Sequence, residues 1–442
     1  MLGVSDAAGL ELVSDAEQAE VIVINTCGFI DSAKEESIDT ILEMARYKTM
    51  GKCQSLVVAG CLSQRYSKEL ALQMPEVDHF LGSSDMLKLK EVLTAVAPRI
   101  MVGNPADYVY KSSDPRRVST HAHSVFVKIA EGCNRTCSFC AIPSIRGKQR
   151  SRPPSDIVRE VQQLVAQGTV EVNLISQDTI AYGRDCQPRA SLEGLVKALA
   201  SVDKLRWLRM FYLYPETLTP ELLALFSEHP SLLPYIDMPL QHASDSMLRR
   251  MQRGHGGDRL YRVVERLKQQ VSHLTLRTAF ILGHPGETDA DFAELSKFVQ
   301  WAEFDSVGVF LYSPEEGTPS GNMPDAVPRD VAQRRAAELM QIQRVISKRK
   351  QEAYIGQRIE VLVDGPSDES EYLLEGRHRG QAPDIDGKVY LANGTAKPGE
   401  LRQVKVTAAA DYDLLADLMP TQQADSVRLR GATKHLPVLV DG

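Results

Sequence analysis

The sequence is most informative at one ten-residue stretch, which follows an apolar run and reads Glu131-Gly132-Cys133-Asn134-Arg135-Thr136-Cys137-Ser138-Phe139-Cys140. Its cysteines, Cys133, Cys137 and Cys140, are separated by three and then two residues. Three thiolates on one short loop can hold three corners of a 4Fe-4S cluster and leave the fourth iron open. The spacing therefore predicts a metal cluster whose open iron binds a substrate or cofactor.

A structural zinc site is the main alternative for this spacing. Such a site needs four protein ligands and usually pairs two similar cysteine knuckles, and no second knuckle follows in the sequence. His121 and His123 lie upstream and would be candidates for a fourth ligand. Spacing alone leaves zinc open, and the cluster is the preferred interpretation.

Length, composition and charge indicate what kind of protein carries this loop. A chain of 442 residues has room for about three domains. The seven cysteines are an odd number in a chain without a secretory signal, which argues against a disulfide framework. We expect a cytoplasmic protein with no membrane span. The net charge of −7 argues against strong nucleic-acid binding and suits a basic protein partner.

The first part of the chain alternates short apolar runs with helical patterns. Residues 21–24 and 56–59 are predicted to be buried parallel strands of a small Rossmann-like α/β domain. Cys27 and Cys61 each come directly after one of these strands. Ligands of open α/β sheets bind at that edge, so both cysteines are candidate site residues.

The segment between these two strands is predicted to be a crossover helix over residues 32–47. Ser32 followed by Glu35 fits a capping box at its start. Cys53 lies in the polar loop after the helix, and we expect it to be an ordinary surface thiol.

A second and longer alternation of strands and helices predicts a central partial (βα)6 barrel. Its first strand leads into the three-cysteine loop, which places the loop at the carboxyl-end rim where barrel enzymes carry their chemistry. The predicted strands are 125–130, 170–175, 206–212, 234–238, 274–282 and 305–312.

A charged helix over residues 329–354 leads into strand-like runs separated by Gly, Pro and Asp, which predict a small β-barrel. The final segment has no assignable pattern and is a tail of unknown role. The predicted domains are therefore 1–110, 119–354 and 355–420, followed by the tail at 421–442.

The three cysteines, with Phe139 immediately before the third, resemble the signature of the radical S-adenosylmethionine (SAM) superfamily. The resemblance implies that the open iron chelates SAM and that SAM is cleaved to methionine and a 5'-deoxyadenosyl radical. Polar or glycine-containing segments after the other strands are candidate SAM contacts, although each alone also fits an ordinary turn or helix cap. These candidates are Phe139, Gln177, Asp178, Gln241, Arg277, Ile281 and Gly283.

Two further segments, 25–37 and 59–66, resemble the N-terminal domain of methylthiotransferases. The resemblance implies a second 4Fe-4S cluster held by Cys27, Cys61 and a third cysteine on a loop ahead of the position of Met1. We therefore expect an N-terminal truncation that removes the first strand and this ligand, through a misplaced start. A chain impaired in its sulfur-inserting half is the alternative.

The order of a cluster domain, a radical SAM barrel and a TRAM β-barrel is that of the methylthiotransferase family. One branch modifies an adenosine in transfer RNA, and the other adds a methylthio group to the β-carbon of an aspartate in protein twelve of the small ribosomal subunit. Segments 25–31, 175–183 and 375–387 resemble the ribosomal branch. The resemblance implies a monomer that uses two SAM molecules and a reductant such as flavodoxin or ferredoxin.

Charge supports a protein substrate. Residues 355–420 hold 7 Lys and Arg against 12 Asp and Glu, a net charge of −5, whereas a barrel that binds RNA should be basic. A zinc-containing RNA-binding protein is the alternative outside the enzymes. The basic run at 146–153 fits a solvated loop, a structural ion pair, a path to the open iron or a contact to a substrate carboxylate.

Overall fold

The computed structural model describes residues 1–94, 97–119, 121–215 and 218–420. The chain forms two compact units, Met1–Lys350 and a second that begins at Gln351. The predicted tail, 421–442, lies outside the described residues.

The first unit begins with a parallel sheet of four strands in the order β1-β2-β3-β4. Apolar side chains from both faces of this sheet are buried, as the continuous apolar runs predict. Strands β1 and β2 pair from Val21 with Ser55 to Thr26 with Gly60, so their carboxyl ends are level. The strands are β1 Val21–Thr26, β2 Ser55–Gly60, β3 His79–Leu81 and β4 Ile100–Met101. The helices are α1 Leu2–Ala7, α2 Asp31–Ala45, α3 Tyr47–Met50, α4 Cys61–Gln73 and α5 Leu89–Thr94.

The capping box predicted at Ser32 is wrong. Helix α2 begins one residue earlier, at Asp31, and its N-cap residue Ile30 makes no side-chain cap. The Asp31 N–H instead donates to Ser313 Oγ at 3.1 Å. A hydroxyl far away in the chain therefore satisfies a donor that sequence reasoning assigns to a local cap.

The prediction of a surface thiol at Cys53 is also wrong. Cys53 is 6% exposed and packs with Leu56 and Phe80 in the core of the first sheet. The preceding loop folds back onto the start of β1, where Gln54 N donates to Glu20 O at 2.8 Å. That fold-back carries the cysteine inward.

The rest of the first unit is an open parallel sheet of six strands, in the order β12-β11-β10-β9-β8-β5. The six predicted strands are confirmed within a few residues. The strands are β5 Ser124–Lys128, β8 Glu171–Ile175, β9 Trp207–Met210, β10 Leu232–Asp237, β11 Thr275–Leu282 and β12 Ser306–Leu311. A short antiparallel ribbon, β6 Ala130–Glu131 and β7 Arg150–Ser151, brackets the cysteine loop. The helices are α6 Ile142–Arg146, α7 Pro154–Ala166, α8 Leu192–Ala200, α9 Pro220–Glu228, α10 Asp245–Arg250, α11 Gly257–Gln270, α12 Asp289–Ala302 and α13 Arg329–Glu352.

The second unit contains a closed five-stranded barrel in the order β13-β14-β15-β17-β16, as predicted. Alternate residues such as Val361, Val363 and Val404 fill its core. The strands are β13 Arg358–Pro366, β14 Leu374–His378, β15 Val389–Ala392, β16 Leu401–Ala409 and β17 Leu414–Leu418. Within the described part of the chain, no helix combines the length and the apolar character that a membrane span needs.

Candidate functional site

The three-cysteine loop begins at a tight backbone crossing. Gly132 has φ +77°, and a Cβ there would lie 2.3 Å from the Lys148 carbonyl oxygen, so only glycine fits. The next residue, Cys133, donates its N–H to Gly147 O at 3.1 Å. The ribbon β6–β7 and helix α6 therefore fix both ends of the loop.

Two of the three sulfurs accept N–H bonds from arginine residues. The backbone N–H of Arg135 lies 3.4 Å from Cys133 Sγ. The guanidinium of Arg253 lies 3.3 Å from Cys137 Sγ and stacks on Tyr214, with 4.2 Å from its carbon to the ring centre. Hydrogen bonds to cluster sulfurs are one of the ways in which proteins set cluster potentials.

The cysteine thiols also influence one another. Burial, together with the nearby Cys137 and Cys133, raises the pKa of Cys140 to about 12. Burial likewise raises the pKa of Cys133. Thiolates, rather than thiols, bind metal. A bound cation would stabilise the negative thiolates and so favour loss of the thiol protons. Three thiols of one loop that influence one another electrostatically, with N–H donors on two sulfurs, fit a 4Fe-4S cluster. Over the described residues, no three His, Cys, Asp or Glu side chains are grouped to hold a single metal ion.

Ser138, in the middle of the loop, anchors it to the barrel. Its N–H donates to Met251 O at 3.1 Å, and its hydroxyl donates to Arg250 O at 2.7 Å. Ser320 Oγ lies 2.8 Å from Ser138 Oγ and 2.8 Å from His284 Nε2. A polar chain thus joins the loop to the turn after β11.

We predict that this histidine makes the metal-free protein less stable in mild acid. Burial lowers the pKa of His284 to about 4, whereas an unfolded histidine titrates near 6.5. Between these values the unfolded state binds more protons, so stability falls as the pH drops from about 6.5 to about 4. His284→Gln should reduce the loss between pH 7 and pH 5 by about 2 kcal/mol, measured by urea unfolding. His121→Gln, at an exposed position, is the control, and equal slopes for the two variants would contradict the prediction.

Asp178 connects the second barrel strand to the cysteine loop. It lies three residues after the end of β8, is 4% exposed, and its Oδ2 lies 2.6 Å from Arg135 Nε. Its charge contributes to the raised pKa of Cys133. The structure therefore brings this predicted SAM contact close to Cys133, with Gln177 next to it in sequence.

Apart from Phe139 on the cysteine loop, the other predicted SAM contacts lie on β11 or in the segments that follow β10 and β11. Gln241, with φ +73°, bridges to β11: its N–H donates to Ala279 O, and its carbonyl accepts from Ile281 N, both at 2.8 Å. Arg277 pairs with the buried Asp237 at 2.7 Å. These residues form a second group at the same edge of the sheet.

Gly283, in the turn after β11, is one of the predicted SAM contacts. The sequence suggests that a missing side chain lets a ligand approach the backbone there. In the structure Gly283 has φ +81°, and its Cβ position lies 2.6 Å from the Ala332 side chain. Its N–H is taken by Glu287 Oε2 at 2.8 Å. Helix α13 therefore fills the space that a side chain at this position would take.

The second cysteine group, Cys27 and Cys61, lies at the carboxyl ends of β1 and β2. Cys27 is exposed and Cys61 is buried at the start of α4. They are close enough for Cys27 to contribute to the raised pKa of Cys61, which burial mainly causes. Cys61 packs directly against Ala141 and Ile145 of the helix that follows the three-cysteine loop. The two cysteine groups thus meet across helix α6.

Arg146, the last residue of α6, joins these groups. Its guanidinium donates to Cys61 Sγ at 3.2 Å and to both oxygens of Glu131, at 2.9 and 3.2 Å. Lys128 also pairs with Glu131. Burial raises the pKa of Glu131, but the charges of Lys128 and Arg146 outweigh it and hold that pKa below its ordinary value. Of the interpretations of the basic run, the structural ion pair is the one observed here.

We predict that Arg146→Met lowers the free energy of unfolding by about 2 to 4 kcal/mol, because it leaves a buried carboxylate with one charged partner fewer. Combining it with Glu131→Gln should restore most of the loss, since the amide needs no counter-charge. Urea unfolding of the metal-free proteins measures both values. A single variant as stable as wild type would show that the pair is not coupled to folding.

Glu315, which follows β12, holds the first sheet against this site. It is 1% exposed, and its Oε2 lies 2.6 Å from Arg65 Nη1 and 3.1 Å from Lys34 Nζ. Arg65 also donates to Gly28 O at 3.0 Å, next to Cys27. This ion pair therefore fixes α2 and α4, which flank the two cysteines.

Sequence reasoning missed Arg253, Ser138 and Glu315 as parts of the site. Ser138 lies inside the cysteine motif, so its position was the one available signal. Arg253 and Glu315 lie outside every motif. Only the folded chain shows that they face sulfur or a neighbouring helix.

Comparison with known proteins agrees with this geometry. The chain matches the Radical SAM superfamily over residues 127–299, the Uncharacterized protein family UPF0004 over 1–82 and the TRAM domain over 355–419. In solved structures, the radical SAM methyltransferase TsrM from Kitasatospora setae covers 72% of this chain and 68% of its own, with a TM-score of 0.52. At 14% identity this likeness shows the fold alone.

The open six-stranded sheet and its three-cysteine loop therefore define the class of radical SAM enzymes, which work with a 4Fe-4S cluster and SAM. A relative in Sorangium cellulosum, "Ribosomal protein uS12 methylthiotransferase RimO", is 60% identical over 96% of this chain and 88% of its own length. A protein with the same name in Anaeromyxobacter sp. strain K is 48% identical over 100% and 94%. The chain belongs to the RimO family of methylthiotransferases.

Proposed function

We propose that this protein adds a methylthio group to the β-carbon of an aspartate in ribosomal protein uS12. The meeting of the two cysteine groups across helix α6 carries the proposal, because such a transfer needs a sulfur source beside a radical source. Cys61 packs against the helix that follows Cys140, and Arg146 hydrogen-bonds its sulfur. The relatives that match nearly the full chain are named as ribosomal protein uS12 methylthiotransferases.

In this proposal Cys133, Cys137 and Cys140 hold the radical SAM cluster, and Cys27 and Cys61 supply two ligands of a second 4Fe-4S cluster. When bound, the first cluster and SAM supply one-electron chemistry that removes a hydrogen atom from an unactivated carbon. The arginine N–H groups on Cys133 and Cys137 stabilise negative charge on sulfur.

The residues at the rim would orient SAM. Asp178 is held beside the cluster ligands by Arg135, and Arg277 is fixed by the buried Asp237. A side chain locked in this way loses little freedom when a ligand arrives. The proposed SAM contacts remain Phe139, Gln177, Asp178, Gln241, Arg277, Ile281 and Gly283.

The charges of the C-terminal barrel favour a basic protein partner over nucleic acid. Arg377 is 4% exposed and pairs with Asp364, while Lys388 pairs with Glu375 and Arg402 contacts Glu400. These cations are neutralised within the barrel and are poorly placed to bind phosphates. We also propose that the enzyme is a cytoplasmic monomer reduced by a flavodoxin or ferredoxin.

Deletion of the gene tests the proposed reaction. Mass spectrometry should show that uS12 from the deletion strain lacks one methylthio group on an aspartate, and that the cloned gene restores it. Bulk transfer RNA should keep its methylthio-adenosine. Loss of the RNA modification instead would assign the enzyme to the transfer-RNA branch. Purified protein that holds zinc without iron or sulfide would refute the proposal that it is a radical SAM enzyme.

A further inference from the structure

A cavity of about 330 Å³, lined mainly by polar residue types, opens beside the cysteine loop. Gln149 and Asp178 form its buried floor, and Arg135 forms a wall. Asn134 and Arg184 lie exposed at its mouth. The backbone N–H of Arg135 bonds Cys133 Sγ, so a molecule in the cavity lies within a few residues of the proposed cluster.

The floor offers unused hydrogen-bonding groups. Gln149 is 5% exposed, and neither its Nε2 nor its Oε1 has a partner among the described protein atoms. Asp178 binds Arg135 through Oδ2, while its Oδ1 is likewise without a partner. Buried polar groups are nearly always hydrogen-bonded in folded proteins. These atoms therefore indicate a ligand with complementary donors and acceptors.

The pattern of these groups matches a peptide segment that carries a carboxylate. A carboxamide presents a donor and an acceptor side by side, as a peptide group does, so Gln149 can pair with a substrate backbone. Arg184 at the mouth donates to Ile180 O at a long 3.4 Å, which leaves its guanidinium for a carboxylate. Arg135 is already committed to Asp178 and to the Tyr214 ring, 3.7 Å away.

The position of the cavity separates it from most of the proposed SAM contacts. Gln241, Arg277, Ile281 and Gly283 lie on or after β10 and β11, and none of them lines the cavity. The cavity lies instead beside the loops that follow β5 and β8, at the edge-strand side of the sheet. Exposed residues at its mouth give a segment of another protein access.

We propose that this cavity binds the segment of the substrate protein that carries the target aspartate. Gln149 pairs with a backbone peptide group of that segment, and Arg184 pairs with the aspartate carboxylate. The inference rests on the proposed function and deepens it by naming the groups that recognise the substrate.

Steady-state kinetics of the cluster-reconstituted enzyme with purified uS12 test the role of Gln149. Gln149→Leu should raise KM for uS12 by about ten-fold or more, because a buried pairing group is lost, while kcat changes by less than about three-fold. Gln162→Leu, on the exposed face of α7, should match wild type. A rise in KM for SAM instead would assign the cavity to the cofactor and overturn the proposal.

Binding measurements test Arg184 without turnover. Wild type should bind uS12 about ten-fold more tightly than a uS12 variant whose modified aspartate, located by mass spectrometry, is replaced by asparagine. Arg184→Gln should reduce that preference below about three-fold, and the exposed Arg189→Gln should keep it.

The failures are distinguishable. A wild-type enzyme that modifies uS12 while Gln149→Leu and Arg184→Gln behave like their controls overturns this inference alone. A wild-type enzyme that leaves uS12 unmodified overturns the proposed function as well. Because Arg184 is exposed, its variant also decides the matter if Gln149→Leu fails to fold.

Discussion

Cys137→Ala should abolish reductive cleavage of SAM by the reconstituted protein. The substitution removes one of three thiols on the loop and the sulfur that Arg253 contacts at 3.3 Å. Loss of an outer hydrogen-bond partner of a metal site lowers metal affinity or activity by about 10- to 100-fold. Loss of a ligand itself should lower the activity by more than that. The amount of 5'-deoxyadenosine formed under anaerobic, reducing conditions measures the effect.

Cys186→Ala is the matched control for this experiment. Cys186 is a partly exposed thiol outside the loop, and its sulfur lies 3.9 Å from the Arg152 carbonyl oxygen. That variant should cleave SAM at the wild-type rate. Cleavage that persists in Cys137→Ala would refute the assignment of the three cysteines to the radical cluster.

Cys61→Ala should eliminate methylthiolated uS12 and remove the second cluster. Two 4Fe-4S clusters hold about eight irons per chain, and loss of one leaves about four. Cys27 is exposed and would be the remaining thiol of this pair, and one thiolate is insufficient to retain a cluster. Iron and sulfide analysis, together with mass spectrometry of uS12, measures the two losses.

Cys53→Ala separates the loss of a ligand from the loss of a buried thiol in the same sheet. Cys53 is buried in the core, away from helix α6, and makes a weak contact with Ser55 O at 3.6 Å. This variant should keep its iron and its product. If Cys61→Ala retained full iron content, the pair at the ends of β1 and β2 would have no role in binding a cluster.

The strands could be predicted because burial on both faces requires continuous apolar runs. The run in β11 fixed that element to within one residue, at Thr275–Leu282 against a prediction of 274–282. The rim position of the cysteine loop followed from the same logic, since βα loops gather at the carboxyl ends of strands. Pattern and topology together therefore located the site.

Contacts between distant parts of the chain could not be predicted in this way. Arg253 contacts Cys137 across 116 positions, and Ser313 caps Asp31 across 282. The capping-box rule considers only neighbours within one helical turn, so it could not have found Ser313. Cys53 was misjudged for the same reason, because the polarity of its loop says nothing about how that loop folds back.

The buried Glu315 ion pair fixes the position of one cysteine group relative to the other. Lys34 and Arg65 come from helices that flank Cys27 and Cys61. Glu315 follows β12 of the six-stranded sheet, whose loop after β5 carries the other three cysteines. A carboxylate shielded from water holds its partners more firmly than a surface pair does. In the proposed function, two cysteine groups fastened in this way keep a constant separation, so the substrate segment moves between them while the protein stays fixed.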